Sequence, residues 1–262
     1  MVYKWVTDLG ILNNLLSNNE NIKCPICKST SVKLFIKEDR FSYLKCHMCN
    51  GIFAYPQHDQ SYYLNHKTYL TDPEDYIKLI DPKGFIWLLG KFEEAYNRKI
   101  GVKKGNLLEV GAGVGYFMMQ AFAREWNVEG IETSKASADW ANKYLRMDVH
   151  NTTIEDFIPV KKYDAIIMIE VLEHFLDAKK ALQCCKGLAN DSALLFGTTP
   201  NTESKYWNKK RNIYDPDDHI FLFSNKTIEI LFSDLGIDSL TIEYFGGDHG
   251  DAHLMFSGVF NK

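Results

Sequence analysis

The sequence predicts an α/β fold: a doubly wound, seven-stranded sheet with an antiparallel last strand, preceded by a small N-terminal ribbon built on paired cysteines. Three observations predict it. From Lys104 onward, strand-length apolar runs alternate with amphipathic runs of helical length, the signature of βαβ units with helices on both faces of a parallel sheet. The last two runs, Ser239–Phe245 and His253–Phe260, leave no room for a helix between them and must pair antiparallel. Ahead of the sheet, four cysteines fall into two Cys-x-x-Cys pairs. A composition of 45% hydrophobic and 24% charged residues excludes disordered and fibrous architectures.

Taken in order, residues 1–20 hold one apolar run, Leu9 to Leu16, closed by the Asn-rich stretch Ser17 to Asn21, and are expected as an N-terminal helix. Residues 21–57 carry the paired cysteines between the β-like runs Val32–Ile36 and Phe41–Leu44 and form the ribbon. Residues 58–101 are rich in aromatics, among them Tyr62, Tyr63, Tyr69, Tyr76, Phe85, Trp87, Phe92 and Tyr96. Pro73 and Pro82, each behind an Asp, divide this zone into short helices that serve as lid and linker. Residues 102–262 form the main domain. Its expected strands are Asn106–Val110, Val128–Glu132, Asp148–Asn151, Tyr163–Glu170, Ser192–Thr199 and the final pair. Its expected helices are Gly115–Arg124, Ser134–Leu145, Ala178–Ala189 and Asn225–Leu235.

Cys24-Pro25-Ile26-Cys27 and Cys46-His47-Met48-Cys49 stand eighteen residues apart, the spacing of a zinc site. Each Cys-x-x-Cys turn delivers two thiolates to one side of a tetrahedron, and a hairpin brings the second pair to the other side. Four sulfur ligands leave no open position, so Cys24, Cys27, Cys46 and Cys49 make a structural rather than a catalytic centre, with iron as the rival metal. A redox dithiol and four buried free thiols are the other readings, and two matched pairs argue against both. Cys184 and Cys185, adjacent on a helix, point apart and are expected to carry no chemistry.

The run Leu107 to Phe117 passes from an apolar strand through Gly111, Gly113 and Gly115 into a helix. Glycines there permit a tight turn and a close approach of main chain to a ligand. A dinucleotide fingerprint needs a glycine where Tyr116 stands, and the Lys-Ser/Thr pair of a phosphate loop is missing. Glu132, at the tip of the next strand, is placed to accept hydrogen bonds from two ribose hydroxyls.

The segment from Lys104 onward resembles the class I S-adenosylmethionine-dependent methyltransferases, whose Rossmann-like domain carries an acidic-x-Gly-x-Gly-x-Gly loop like Glu109-Val110-Gly111-Ala112-Gly113-Val114-Gly115. The likeness continues through Tyr163 to His174, Gly197-Thr198-Thr199-Pro200-Asn201 and Asp218-His219-Ile220-Phe221-Leu222-Phe223-Ser224. With its four cysteines, Tyr62 and Tyr69, the first half is similar to zinc-ribbon methyltransferases of bacterial surface-sugar and natural-product pathways. The resemblance implies that Glu109, Gly111, Ala112, Gly113 and Gly115 cradle the methionine and ribose part of the cofactor. It implies that Glu132, with Thr133 beside it, holds the ribose hydroxyls, and that Thr153 and Ile154 read and stack on the adenine. An acid stands at the position of Thr153 in many relatives, so Glu155 and Asp156 are the alternatives. Glu170 is implied to lie beside the methyl sulfonium.

Methyl transfer to an alcohol needs alignment and a base. His174, following the fourth strand, is the first candidate, and His219, in the loop before the last helix, is the second. Glu170-x-x-Glu173-His174 with His219 is also similar to the metal site of small-RNA 3′-terminal 2′-O-methyltransferases, a resemblance that implies a catalytic Mg2+ or Mn2+. The loop Gly246 to His253 is expected as a long hairpin turn with a chance of lining the acceptor site. The Lys205 to Arg211 run is expected as a solvated lid, with contact to an anionic acceptor as the other reading.

The expected function is methyl transfer from S-adenosylmethionine to an oxygen of a sugar, nucleotide-sugar or related small polar acceptor. A metal-dependent RNA 2′-O-methyltransferase and an inactive methyltransferase-fold scaffold are the alternatives. With 30 Lys and Arg against 34 Asp and Glu, the chain carries a net charge of −4, which counts against nucleic acid as the partner. No stretch reaches the ~20 apolar residues of a membrane span, and the first ten residues lack a secretory core, so the expected location is the cytoplasm.

Overall fold

The computed structural model describes residues 22–37, 41–57, 59, 61–62, 72–210 and 213–261. The expected 1–20 helix, Tyr63, Tyr69 and Arg211 lie outside the described residues.

Chain order runs β1 (Val32–Lys37), β2 (Ser42–Cys46), β3 (Ile52–Tyr55), α1 (Pro73–Leu79), α2 (Pro82–Lys99), β4 (Asn106–Val110), α3 (Tyr116–Phe122), β5 (Asn127–Glu132) and α4 (Lys135–Trp140). It continues with β6 (Val149–Asn151), β7 (Tyr163–Ile169), α5 (Ala178–Leu188), β8 (Ala189–Pro200), α6 (Lys205–Lys210), β9 (Phe221–Leu222), α7 (Asn225–Leu235), β10 (Ile237–Phe245) and β11 (His253–Phe260). The main sheet has seven strands in the order β10-β11-β8-β7-β4-β5-β6. β4 to β8 pair parallel, and β11 pairs antiparallel to both β8 and β10. The carboxyl ends of the parallel strands therefore share one edge with the first residue of β11, His253, which lies opposite Pro200.

Strand side chains alternate between two buried layers. Leu108, Val110, Ile166 and Met168 face α5, α7 and the ribbon in one cluster, whereas Leu107, Ala165 and Ile167 face α2 and α3 in the other. The two Asp-Pro pairs are helix starts. Asp72 and Asp81 cap α1 and α2 by accepting from Glu74 N and Lys83 N, with proline at the first helical position, where its missing N–H costs nothing. α7 opens on a reciprocal Ser224–Thr227 capping box and ends at Gly236 in the left-handed conformation.

Two expectations shift, and one strand is new. The helix expected over Ser134–Leu145 is α4 followed by a π turn at Ala141–Leu145, where Asn142 clamps Val149 through both its amide atoms. Apolar periodicity does not separate an α turn from a π turn. The strand expected from Ser192 begins at Ala189, with an irregularity in its register and Ser192 at φ +63°. β9 has no counterpart in the sequence reading. It pairs with β3 and closes the ribbon as a four-stranded sheet, β1-β2-β3-β9. Among the described residues no helix is long and apolar enough to cross a membrane.

Candidate active site

The glycine loop leaves β4 at Val110 and is tied to β5 at once, because Gly111 N and Ala112 N both donate to Ile131 O, at 2.9 and 3.0 Å. Gly111 has φ +73°, and a β-carbon there would meet Val171 Cγ2 at 2.5 Å, so the main chain passes where no side chain fits. Gly115, also left-handed, caps α3. Gly113 N donates to Glu132 Oε2 at 2.8 Å and Ser134 N to Oε1 at 2.7 Å, which locks the carboxylate at the end of β5. Thr133 Oγ1 lies 3.5 Å from Oε1. Tyr76 of α1 covers the loop, its ring 3.6 Å from where a Gly113 β-carbon would stand. Burial and the charges of Glu109, Glu132 and Glu170 push its hydroxyl pKa up.

Two cavities meet at Gly111. The larger, about 400 Å³, is lined by Gly111, Glu132, Thr133, Thr153, Ile154 and His174 among others, within the ~300–1,000 Å³ of small-molecule sites. Ile154 is buried. Thr153 Oγ1 donates to Asp156 Oδ2 at 2.9 Å and accepts from Asp156 N at 3.2 Å, so Asp156 is engaged by Thr153 while Glu155 lines the cavity. The smaller, about 100 Å³, is lined by Tyr76, Glu109, Ala112 and Glu170. Glu109 is buried, and burial pushes its carboxyl well above the usual range. Glu109 Oε2 and Glu170 Oε1 are buried without a hydrogen-bond partner among the described residues. Two orphaned carboxyl oxygens beside a bare main-chain turn suit a ligand that brings N–H donors, and a positive charge arriving there would favour the ionised form of Glu109.

Glu170 follows β7 with φ +52°, and its N–H donates to Thr198 O and Oγ1, each at 3.1 Å. Its Oε2 lies 2.9 Å from His253 Nδ1. Of the expected cation ligands, Glu173, His174 and His219 offer atoms within 4.8 Å of one another, while Glu170 is engaged by His253. Glu173 is enclosed, with Oε2 accepting from Thr199 Oγ1 at 2.9 Å. His174 Nδ1 stands 2.7 Å from Asp218 O and 3.1 Å from Asp218 Oδ1, and His219 Nδ1 stands 2.7 Å from Ile213 O. Burial opposes charge on both rings. In His174 the Asp218 hydrogen bond and the Glu173 and Asp218 charges outweigh it, and the pKa rises to about 9. Burial and the Glu170 charge push Glu173 itself up to about 8, so Asp218 is the partner that holds the cation near neutral pH. In His219 burial and the neighbouring His174 hold the pKa below its ordinary value. Sequence reasoning did not pair His253 with Glu170; it placed His253 at the end of a long hairpin turn, with lining of the acceptor site as the other reading.

The four ribbon cysteines gather with all sulfurs within 4.8 Å, Cys24 to Cys49 at 3.6 Å and Cys27 to Cys46 at 3.5 Å. A tetrahedral Zn–S4 centre with ~2.3 Å bonds has edges of about 3.8 Å, so the sulfurs fit such an ion. The ribbon also grips the histidine loop. Ala54 N donates to Ile220 O, Tyr43 Oη to His219 O at 2.6 Å and Ser224 Oγ to Cys49 O at 2.6 Å, while Ile220 N reaches Glu173 O.

A sequence model described as a methyltransferase domain matches residues 85–241. The ubiquinone biosynthesis O-methyltransferase of Actinobacillus pleuropneumoniae serotype 7 is 31% identical over 141 residues, 49% of this chain and 57% of the relative. The enzyme of the same description from Rickettsia akari is 27% identical, over 48% of this chain and 52% of the relative. The chain thus spans about half the length of these curated relatives. A SAM-dependent methyltransferase structure from Archaeoglobus fulgidus superposes with a TM-score of 0.57 at 13% identity, covering 68% of this chain and 94% of its own. The plantazolicin methyltransferase BpumL, solved with SAH and a triazolic analogue, gives 0.59 at 14% identity, covering 78% and 94%. At such identities these two structures share the fold.

Proposed function

The chain belongs to the methyltransferase-domain family, and from that premise we propose that it transfers a methyl group from S-adenosylmethionine to an oxygen of a small polar acceptor such as a sugar or nucleotide-sugar. The observation that carries the reading is Glu132, fixed by the Gly113 and Ser134 amides at the rim of the larger cavity. A carboxylate so held keeps lone pairs for two ribose hydroxyls and has no freedom to turn away. Thr153 and Ile154 offer a polar edge and an apolar face to the base. Glu109 and Glu170 meet the positive end in the smaller cavity. The cofactor supplies an electrophilic methyl on a positively charged sulfur. The protein aligns the acceptor, excludes water and takes up a proton. Oxygen as the acceptor atom is favoured by the O-methyltransferase relatives.

Cys24, Cys27, Cys46 and Cys49 are read as holding a structural zinc that shapes the ribbon. Calorimetry tests the cofactor reading. The intact chain is expected to bind S-adenosylmethionine, and Glu132→Ala to weaken binding ~10–100-fold, the worth of a hydrogen bond to a charged group. A tritium-methyl screen over nucleotide-sugars, phenols and short RNAs then identifies the acceptor. A wild-type chain that binds no S-adenosylmethionine overturns the proposal.

A further inference from the structure

The geometry points to His253, oriented by Glu170, as the general base that takes the proton of an acceptor hydroxyl, with Trp207 and Phe245 forming the wall of the acceptor site. This assignment rests on the methyl-transfer reading above and names the residue that activates the acceptor. His253 begins β11 at the edge where the parallel strands end. Its Nδ1 faces Glu170 Oε2 at 2.9 Å, and among the described residues no hydrogen bond reaches Nε2. The carboxylate fixes the tautomer with the proton on Nδ1 and leaves the Nε2 lone pair to accept. The side chains are 24% and 35% exposed, so an acceptor can reach them. Phe245 stacks on the imidazole at 5.1 Å, and Trp207 meets it edge-on at 5.4 Å while its indole N–H donates to Ala252 O at 2.6 Å. A ring held on two sides and by one carboxylate has its free nitrogen in a fixed place.

Charge separates His253 from the other two histidines. His174 has its Nδ1 taken by Asp218, 2.7 Å from the main-chain oxygen and 3.1 Å from the carboxylate, a pairing that favours its charged form. His219 has the Asp218 carboxylate 3.7 Å from its Nε2, but burial and the His174 ring 5.1 Å away outweigh it and disfavour a proton arriving there. A proton arriving on His253 forms an imidazolium against the Glu170 carboxylate. In the step, the acceptor oxygen's lone pair forms the O–CH3 bond as the S–CH3 bond breaks with its electron pair passing to sulfur. The hydroxyl proton moves to His253 Nε2 and later leaves to water.

The test uses the full chain with S-adenosylmethionine and three probes: catechol and methyl β-glucoside as hydroxyl acceptors, and benzylamine as a nitrogen control. Calorimetry comes first, because a wild-type chain that binds no S-adenosylmethionine overturns the methyl-transfer reading and this assignment with it. His253→Gln is expected to keep cofactor affinity within threefold and to lose roughly 10²–10⁴ in turnover of a hydroxyl probe. Added imidazole is expected to restore part of the activity of His253→Ala. The charged groups acting on His253 are Glu170 at the end of β7 and Glu173 in the turn after it; Tyr206 of α6 packs on Trp207 and Asp251 is held by Ser204 Oγ, and Trp207 and Phe245 do not titrate. Both glutamates favour the imidazolium and, against burial, raise the pKa above its ordinary 6.5. Wild-type turnover should therefore rise with pH along a limb above 6.5, and Glu170→Gln should move that limb to lower pH. This limb decides the matter even if the His253 variants fail to fold. Hydroxyl transfer that survives His253→Gln within threefold, a limb unmoved by Glu170→Gln, or transfer to benzylamine alone or to no probe overturns the assignment.

Discussion

His174 is an imidazole that the fold keeps charged. Burial works against the cation, but the Asp218 hydrogen bond and the Glu173 and Asp218 carboxyl groups raise its pKa from 6.5 to about 9. A folded-state pKa above the unfolded one contributes stability that is fully present below about pH 6.5 and is lost as pH climbs through 9. The contribution is on the order of 3 kcal/mol. Urea unfolding of the wild type and His174→Gln should therefore show a stability gap that is widest near pH 6 and closes toward pH 9.5. A gap that stays constant shows a neutral ring in the folded chain. This residue scale was the least legible from sequence. Glu132 could be placed because it ends a strand at a set distance behind a glycine loop. The pairing of His253 with Glu170 spans 83 positions, and it arises only because β11 runs antiparallel beside β8 and brings its first residue to the edge where the parallel strands end. No local pattern carries that information.

The elements themselves were largely readable. Alternating apolar runs located every strand of the main sheet, and the 225–235 helix and the final two-strand pair follow from capping residues and spacing. β9 escaped because two residues make no period, and their partner lies in the ribbon about 170 positions earlier. Its consequence is mechanical. The loop carrying Asp218 and His219 is fastened from the ribbon side by Ala54 N to Ile220 O and by the buried Tyr43 hydroxyl to His219 O, and from the sheet side by Ile220 N to Glu173 O. Phe221 also presses on Gly51, where a β-carbon would stand 2.4 Å from its ring. Tyr43→Phe deletes one hydrogen bond worth about 1 kcal/mol, which should raise amide exchange in residues 213–223 about fivefold while leaving β4 and β5 protected. Equal exchange in the two proteins would mean that the strand pairing alone holds the loop.

At the scale of the whole molecule, the two layers of the core divide the labour. The ribbon shares its apolar cluster with one face of the sheet, through Phe53, Phe221 and Phe223 beside Leu108, Ile166 and Met168. The glycine loop's helix α3 packs on the other face with α2, through Phe92, Phe117 and Met118. The hydrogen bonds that fix Glu132 come from Gly113 and Ser134, and none involves the ribbon. Stripping the proposed zinc from the four cysteines should then loosen the 213–223 loop and the proposed acceptor side while the cofactor side persists. With S-adenosylmethionine at a hundredfold excess over its dissociation constant, binding adds about 2.7 kcal/mol of stability, roughly 5–10 °C in melting temperature for a domain of this size. Chelator-treated protein should melt lower than untreated protein yet still show that ligand-induced rise, and it should transfer methyl groups slowly. Loss of the rise together with the transfer would mean that the cysteine centre supports the sheet from both faces, and that the ribbon and the cofactor cleft fold as one unit.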